Sequence, residues 1–148
     1  MPKSSSSFLF PDINVWLALT YERHVHYSPA QEWFKRLDAN TPLCFCRFTQ
    51  LGLLRLLTTD AVMGADAPLS PVEAWRVYDR WLEDHRIRLI DEPAALEPRF
   101  RTLSQHKRHA PKDWADSYLS AFAFAAGLRL VTFDQSLSNK SHDTEFLG

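Results

Sequence analysis

Three aspartates stand where the chain passes between apolar segments and helices, and their carboxylates could meet. Asp12 follows the short apolar run of "FLFPDINV", and Asp134 ends the apolar segment "LRLVTFD". Asp116 lies in the first turns of the alanine-rich segment that precedes "LRLVTFD". Carboxylates that converge without a cation repel one another and raise each other's pKa values. Such a cluster suits a hard divalent cation such as Mg²⁺, which prefers oxygen ligands.

Each of these acids also has a purely structural interpretation. Asp12 could cap the helix that follows it, Asp113 could cap the later helix, and Asp134 could open a turn. Whether the acids form a site therefore depends on the elements that position them.

Short apolar segments alternate with helical patterns along the chain. Predicted strands are Ser7–Phe10, Thr41–Phe48, Ile87–Ile90 and Leu128–Phe133. Predicted helices are 13–21, one from Ser28, 49–59, one from Ser70, about Ala94 to Leu103, and one from Asp113 that stops at Gly127. Capping boxes are expected at Ser28 with Gln31 and in "SPVE" at Ser70, and "DAVMGADAPLS" is expected to be a loop. This order predicts an α/β fold, a three-layer α/β/α sandwich with a mainly parallel central sheet of four to five strands.

That sheet would bring the acids to one edge. The carboxyl ends of the strands line the ligand crevice of an open parallel sheet, so Asp12 and Asp134 are both expected there. A crossover helix runs antiparallel to the strands, so the first turn of the helix carrying Asp116 lies at the same edge.

Composition limits the class of protein. The chain has 148 residues, 45% hydrophobic and 24% charged, which predicts one globular domain over 8–148 behind a polar tail, 1–7. No apolar stretch approaches the ~20 residues of a membrane span, and no secretory signal is evident. The two cysteines, Cys44 and Cys46, do not suggest a disulfide framework, so a cytoplasmic location is expected.

Charge gives a mixed indication about nucleic acid. The formal net charge is −1, so the overall field does not indicate a nucleic-acid binder. The run "RFRTLSQHKRHAPK", Arg99–Lys112, nevertheless holds five Lys or Arg and no acid. It is either a solvated surface or a surface for RNA phosphates.

Four segments together resemble the PIN domain, and within it the VapC-type toxins of bacterial toxin–antitoxin pairs. They are "FPDINVWLAL", "FTQLGLLRLLT", "DWADSYLSAFAFAAGL" and "RLVTFDQSL", and the likeness runs from about Phe8 to Leu137. The pair His24–His26, followed by Ala30–Phe34, also looks like a subgroup of these toxins. The resemblance implies a metal-dependent endoribonuclease, whose acidic quartet binds Mg²⁺ or Mn²⁺ and activates water to cut a phosphodiester.

Carried over by motif, Asp12, Asp116 and Asp134 match the first, third and fourth acids of that quartet. The chain departs from the family pattern at Gln50, where the family usually has Glu. The Gln50 amide oxygen can still coordinate a metal, but it brings no charge and cannot act as a base. The metal would then have three anionic ligands instead of four, so a lower metal affinity and a lower occupancy of a second metal are expected.

Supporting roles are expected for two further groups of residues. Hydrogen bonds that position the acids are expected from Asn14, Thr132 and Ser117, and Asp113 could compensate for the missing charge. RNA phosphates are expected to contact the basic residues Arg47, Arg55, Arg108 and Lys112.

The resemblance also implies partners. These are an RNA substrate, a cognate VapB-like antitoxin that inserts a basic side chain into the acidic pocket, and a second copy of the chain in a homodimer. Apolar residues of the first helices are the candidate dimer surface. No membrane partner is expected.

Other interpretations remain open at the level of the sequence. A non-catalytic PIN-fold module that binds RNA or protein is favoured by Gln50. A phosphotransfer domain with Asp12 as nucleophile faintly resembles the haloacid-dehalogenase phosphatases, but Asn14 stands where the second aspartate should be. A purely structural interaction protein would have no reason to gather carboxylates at a sheet edge.

Two smaller features are assigned as follows. His24 and His26 are expected to make a loop or substrate contact rather than a zinc site, because no further ligand stands at zinc spacing. Trp16 or Trp114 could stack on a base near the acids.

Overall fold

Five parallel strands form the central sheet of the computed structural model, which describes residues 8–148. The strands are β1 (Leu9–Pro11), β2 (Leu43–Phe45), β3 (Ile87–Leu89), β4 (Arg129–Thr132) and β5 (Thr144–Phe146). Their order across the sheet is β3-β2-β1-β4-β5, and every neighbouring pair is parallel. The chain leaves β1 toward β2 and returns to β1's other side at β4. The carboxyl ends of β1 and β4 therefore flank a topological switch point, where open parallel sheets bind ligands.

Helices cover both faces of the sheet. They are α1 (Ile13–Thr20), α2 (Tyr27–Arg36), α3 (Arg47–Leu57), α4 (Asp60–Met63), α5 (Pro71–Leu82), α6 (Leu96–Leu103), α7 (Asp113–Ala126) and α8 (Gln135–Lys140). Successive strand residues alternate between two cores: Leu9 packs with α1 to α5, and Phe10 packs with α6 to α8. The predicted three-layer α/β/α sandwich is confirmed.

Local sequence signals explain the ends of several helices. Ser70 caps α5 in the predicted capping box, in which its side chain and that of Glu73 each accept a backbone N–H. Gly127 ends α7 in the left-handed conformation, with φ 68°, which costs glycine little.

The capping box expected at Ser28 is wrong. Helix α2 begins one residue earlier, at Tyr27, and no side chain caps it. The Gln31 amide instead donates to the Leu19 carbonyl oxygen at 3.0 Å. The Gln31 side chain therefore joins α2 to α1 and does not cap the N-terminus of α2.

Further boundaries differ from the prediction. The predicted loop after Thr59 contains the one-turn helix α4, and α8 and β5 were not predicted as elements. Lys112, not Asp113, is the residue before the first turn of α7, so Asp113 does not cap that helix. The expected polar tail, 1–7, lies outside the described residues.

The environment of the two cysteines agrees with a structural role. Cys44 and Cys46 are free thiols buried on the α7 side of the sheet. Burial raises the pKa of Cys44 to about 11, so its thiol stays protonated and unreactive at neutral pH. In residues 8–148, every helix is too short or too polar to cross a membrane.

Candidate active site

Asp12 lies directly after β1, at the carboxyl edge of the sheet. It is only 5% exposed, and its backbone N–H donates to the Val131 carbonyl oxygen of β4 at 2.9 Å. Its Oδ1 accepts the Val15 N–H at 3.0 Å, which caps α1. Burial raises the pKa of Asp12 to about 6, although hydrogen bonds from the Thr132 hydroxyl and from the Val15 and Asn14 backbone N–H groups favour the charged form.

A single hydroxyl joins the ends of β1 and β4. Thr132 Oγ1 donates to Asp12 Oδ2 at 2.6 Å and accepts the backbone N–H of Asp134 at 2.9 Å. Thr132 therefore fixes the Asp12 carboxylate relative to the strand end that carries Asp134. Its predicted role as a positioning residue has a direct structural counterpart.

Asp134 is close enough to both other acids for its charge to affect them. Its Oδ1 caps α8 by accepting the Ser136 N–H at 2.9 Å, the Ser136 hydroxyl at 2.8 Å and the Leu137 N–H at 3.3 Å. Its charge raises the pKa of both Asp12 and Asp116. Within the described residues, Asp134 Oδ2 makes no hydrogen bond.

Asp116 is partly buried in the first turn of α7. Burial is the main cause of its raised pKa, followed by the charges of Asp134 and Asp113, whereas the Lys140 ammonium lowers that pKa. The three predicted acids thus share one edge of the sheet. In the part of the chain described, however, no three acidic, histidine or cysteine side chains lie close enough to enclose a metal ion.

The donor set nevertheless fits a divalent cation. All three side chains are carboxylates, and each carboxylate can accept about four hydrogen bonds or metal contacts. Two carry raised pKa values that a nearby cation would lower. Asp116 is partly exposed, and the exposed Asp134 keeps its Oδ2 free of hydrogen bonds within the described residues, so both can offer an oxygen to an ion beside the fixed Asp12.

Lys140 is a cation of this edge that sequence reasoning missed. Its Nζ lies 3.8 Å from Asp113 Oδ2 and 3.4 Å from Ser117 Oγ. Asp113 also faces His106, whose Nε2 is 3.3 Å from the same oxygen. Ser117 donates to the Leu103 carbonyl oxygen at 3.2 Å and to none of the three acids. The prediction that Ser117 positions one of the three acids by a hydrogen bond is therefore wrong in this structure.

Gln50 is occupied by a different partner. It is buried in the first turn of α3, 4% exposed, and its Oε1 accepts from Arg47 Nη1 at 2.8 Å. Among the described residues, no hydrogen bond joins Gln50 to the three acids. The side-chain oxygen of Gln50, which was expected to coordinate a metal, therefore accepts from a guanidinium in this structure.

Comparison with known families decides the class of protein. The family model for the PIN domain matches residues 9–142. The chain belongs to the PIN-domain family. Ribonuclease VapC41 of Mycobacterium tuberculosis is 43% identical over 133 residues, which cover 88% of this chain and 91% of that protein.

Solved structures support the same fold. VapC20 of M. tuberculosis, described as a sarcin-ricin loop cleaving toxin, superposes with a TM-score of 0.65 at 16% identity, covering 88% of this chain and 93% of that chain. VapBC2 of Rickettsia felis, bound to a DNA fragment from its promoter, gives a TM-score of 0.66 at 14% identity, over 94% and 98% of the two chains.

The basic residues of this PIN domain lie in different places. Arg47 and Arg55 are exposed, but two turns of α3 separate them, so only Arg47 lies at the helix end that faces the carboxyl edge. Arg108 and Lys112 are exposed in the loop before α7. Asn14 is exposed, and its backbone N–H, rather than its side chain, favours the ionised form of Asp12.

Two aromatic and apolar predictions need correction. Trp16 cannot stack on a base, because it is fully buried against Phe45, with ring centroids 3.9 Å apart. The apolar residues of α1 are buried and cannot form a dimer surface. The larger exposed apolar side chains include Leu51 of α3 and Val72 and Trp75 of α5.

The two histidines form a local contact. His24 Nδ1 accepts the backbone N–H of His26 at 3.0 Å, and the His26 ring stacks on Phe133 with centroids 4.3 Å apart. Burial, and then His26, lower the pKa of His24. This agrees with the loop contact expected for the pair.

Proposed function

We propose that this PIN domain is a Mg²⁺- or Mn²⁺-dependent endoribonuclease and the toxin of a type II toxin–antitoxin pair. The observation that carries the proposal is the placement of Asp12 and Asp134 at the carboxyl ends of β1 and β4, where the Thr132 hydroxyl bonds both residues, with Asp116 in the first turn of α7 at the same edge. The relative at 43% identity is named a ribonuclease of the VapC type, which supports the same activity.

Asp12, Asp116 and Asp134 would hold the metal. The ion, when bound, supplies positive charge that stabilises the phosphoryl oxygens and makes an attacking water more acidic. Asp12 is the rigid member, because Thr132 and the Val15 N–H fix both of its oxygens. Asp134 and Asp116 bring the further negative charge that makes a divalent cation favourable at this edge.

The remaining residues bind and orient RNA. Arg47, anchored on Gln50, and the exposed Arg108 and Lys112 supply charge for phosphates on either side of the acids. Without such cations, an acidic pocket repels a polyanion. The buried, free thiols of the chain agree with action in a reducing cytoplasm.

An antitoxin partner follows from the toxin assignment. Structural neighbours at low identity include toxin–antitoxin complexes such as VapBC2. A VapB-like antitoxin that places an arginine between the carboxylates would pair with them and exclude the metal. A homodimer is part of the same proposal.

The decisive experiment removes the acids and follows RNA cleavage. Purified Asp12→Ala and Asp116→Asn should lose Mg²⁺-dependent cutting of total RNA, with a far-ultraviolet circular dichroism spectrum like that of the wild type. Asp38→Asn is a matched control, because Asp38 is exposed in the loop before β2, at the opposite edge of the sheet. Unchanged cutting by the Asp12→Ala/Asp116→Asn double variant would refute the site.

A non-catalytic RNA- or protein-binding module is the second candidate. The contact between Arg47 and Gln50 favours it, because the position of the second family acid is here neutral and engaged. The two candidates differ in one result: wild-type protein that binds RNA but never cleaves it with Mg²⁺ or Mn²⁺ would support the module.

A further inference from the structure

A cavity of about 350 Å³ lies between the loop after α6 and the first turn of α7. Its walls include His106, Arg108 and His109 from the loop, and Asp113 and Trp114 from the helix. The volume lies within the range of about 300 to 1,000 Å³ that small ligands occupy in proteins. Asp113 also contacts Lys140, whose charge lowers the pKa of Asp116. The cavity therefore adjoins the proposed catalytic edge.

Trp114 is the notable side chain of this cavity. It is 60% exposed, whereas Trp16 and Trp33 belong to the buried core. Its ring meets Phe100 at 68° with centroids 6.1 Å apart, a contact through an edge rather than a stack. In the described residues, no ring stacks on the indole, so a flat aromatic partner can still do so.

The charge around the cavity favours an anion. Arg108, Lys107 and Lys112 are exposed in the same loop. The one acid of the lining, Asp113, faces both His106 at 3.3 Å and Lys140 at 3.8 Å. Its charge is therefore offset locally, and the rim of the cavity stays cationic.

We propose that this cavity binds one unpaired nucleotide of a single-stranded RNA, with its base stacked on Trp114 and its phosphate near Arg108. An exposed indole beside exposed cations is the combination that binds single-stranded nucleic acid, because every base offers an aromatic face. Asp113, which lines the cavity beside Trp114, lies one helical turn before Asp116 on the same face of α7, so the bound nucleotide flanks the bond to be cut. The inference rests on the proposed ribonuclease function and assigns part of its substrate contact.

The test compares two exposed tryptophans on opposite faces of the sheet. Trp114→Leu removes the proposed stacking surface, and Trp75→Leu is the matched control, because Trp75 is 46% exposed on α5, in the other helical layer. The probe is a short single-stranded RNA centred on the cleavage position mapped in total RNA. Trp114→Leu should raise KM by roughly 5- to 100-fold, with a smaller effect on kcat, whereas Trp75→Leu should leave both unchanged. Trp114→Phe, which keeps an aromatic face, should restore most of the lost affinity.

Abasic substitution of the RNA identifies the stacked base. Each nucleotide near the cleavage position is replaced in turn by an abasic ribose. At one position this should raise KM as much as Trp114→Leu does, and the two changes together should cost little more than either alone. Additive losses at every position, or equal effects of Trp114→Leu and Trp75→Leu, would overturn the inference.

The outcomes separate this inference from the proposed function. If Asp12→Ala stops cleavage but Trp114→Leu leaves KM unchanged, the nuclease assignment stands and the nucleotide site fails. If Asp12→Ala does not stop cleavage, the proposed function itself fails. Unchanged RNA binding by Trp114→Leu, together with weaker binding of a purified VapB-like antitoxin, would assign the cavity to a protein segment and overturn the proposal.

Discussion

Thr132 and Asp12, 120 residues apart in the chain, are joined by a hydrogen bond of 2.6 Å between Thr132 Oγ1 and Asp12 Oδ2. The same hydroxyl accepts the Asp134 N–H. This bond favours the charged form of a carboxylate whose pKa burial has raised to about 6. The Thr132 hydroxyl therefore partly opposes the rise in the Asp12 pKa that burial causes.

Thr132→Val should weaken cleavage most strongly at low pH. Without the donor, the pKa of Asp12 rises further, so less of the carboxylate is ionised at a given pH. The acidic limb of kcat/KM should then move to higher pH, and the free energy of unfolding should fall by about 1–3 kcal/mol. Thr132→Ser retains the hydroxyl and is the control. An unchanged pH profile for Thr132→Val would show that the bond does not tune Asp12.

Asp12→Asn should stabilise the metal-free protein at neutral and basic pH while abolishing cleavage. The pKa of Asp12 is about 6 in the folded chain, against an ordinary value of 3.8. Ionising Asp12 in the folded chain therefore costs free energy. The stability that the protonated Asp12 carboxyl contributes is fully present below pH 3.8 and is lost as pH rises through 6. The difference corresponds to roughly 3 kcal/mol above pH 6.

Chemical denaturation in EDTA at several pH values measures this effect. The Asp12→Asn protein should have the larger free energy of unfolding at pH 8, and the gap should close by about pH 4. Mg²⁺ should stabilise the wild type and not the variant. A gap that does not change with pH would show that the burial of charge at Asp12 is not its cause.

The overall fold was predictable because its signals are local. Buried strands such as Leu43–Phe45 are short apolar runs, and Ser70 begins α5 with a complete capping box. The edge strand β5 was not predictable, because "TEF" is only three residues long and half-exposed. It therefore has no apolar pattern that would mark it as a strand. Helix α8, "QSLSNK", buries only Leu137.

The acids were predictable for a different reason. Asp12 directly follows β1 and Asp134 comes two residues after β4, and the edge of a parallel sheet brings strand ends together whatever the loops do. Lys140 could not be placed, because its approach to Asp113 depends on the unpredicted α8. Arg47 and Gln50 are three residues apart on α3, and their side chains are in contact. From the sequence alone, Arg47 is only one of several possible partners of Gln50.

Gln50→Glu should keep cleavage at the wild-type level or above it. The change restores the acid that the family usually has at this position, but Arg47 Nη1 is 2.8 Å from the oxygen concerned. The guanidinium would pair with the new carboxylate and offset its charge. The gain in Mg²⁺ affinity should therefore be small in the wild-type background.

The Arg47→Ala background makes this prediction sharp. There, Gln50→Glu should raise Mg²⁺ affinity clearly more than it does beside Arg47, which isothermal titration of the four proteins measures as a double-mutant cycle. Equal gains in the two backgrounds would show that Arg47 does not shield the position. A clear loss of cleavage by Gln50→Glu would mean that the Gln50 amide has another task.

Lys140→Met should tighten Mg²⁺ binding and destabilise the metal-free protein. Its ammonium lies 3.8 Å from Asp113 Oδ2 and lowers the pKa of Asp116, so it partly does in the apo protein what a metal would do. Removing it leaves the neighbouring carboxylates to repel one another and raises the pKa of Asp116. A divalent ion then relieves more repulsion, and it no longer competes with a fixed cation.

Titration at pH 8, where the carboxylates are ionised in both proteins, isolates this competition from protonation. The Mg²⁺ dissociation constant of Lys140→Met should fall about three- to tenfold, a change on the order of 1 kcal/mol. Lys35→Met is the control, because Lys35 is exposed on α2, in the other helical layer. Weaker Mg²⁺ binding by Lys140→Met would mean that the ammonium holds Asp116 in the geometry that the metal needs, and that its charge is not a competitor.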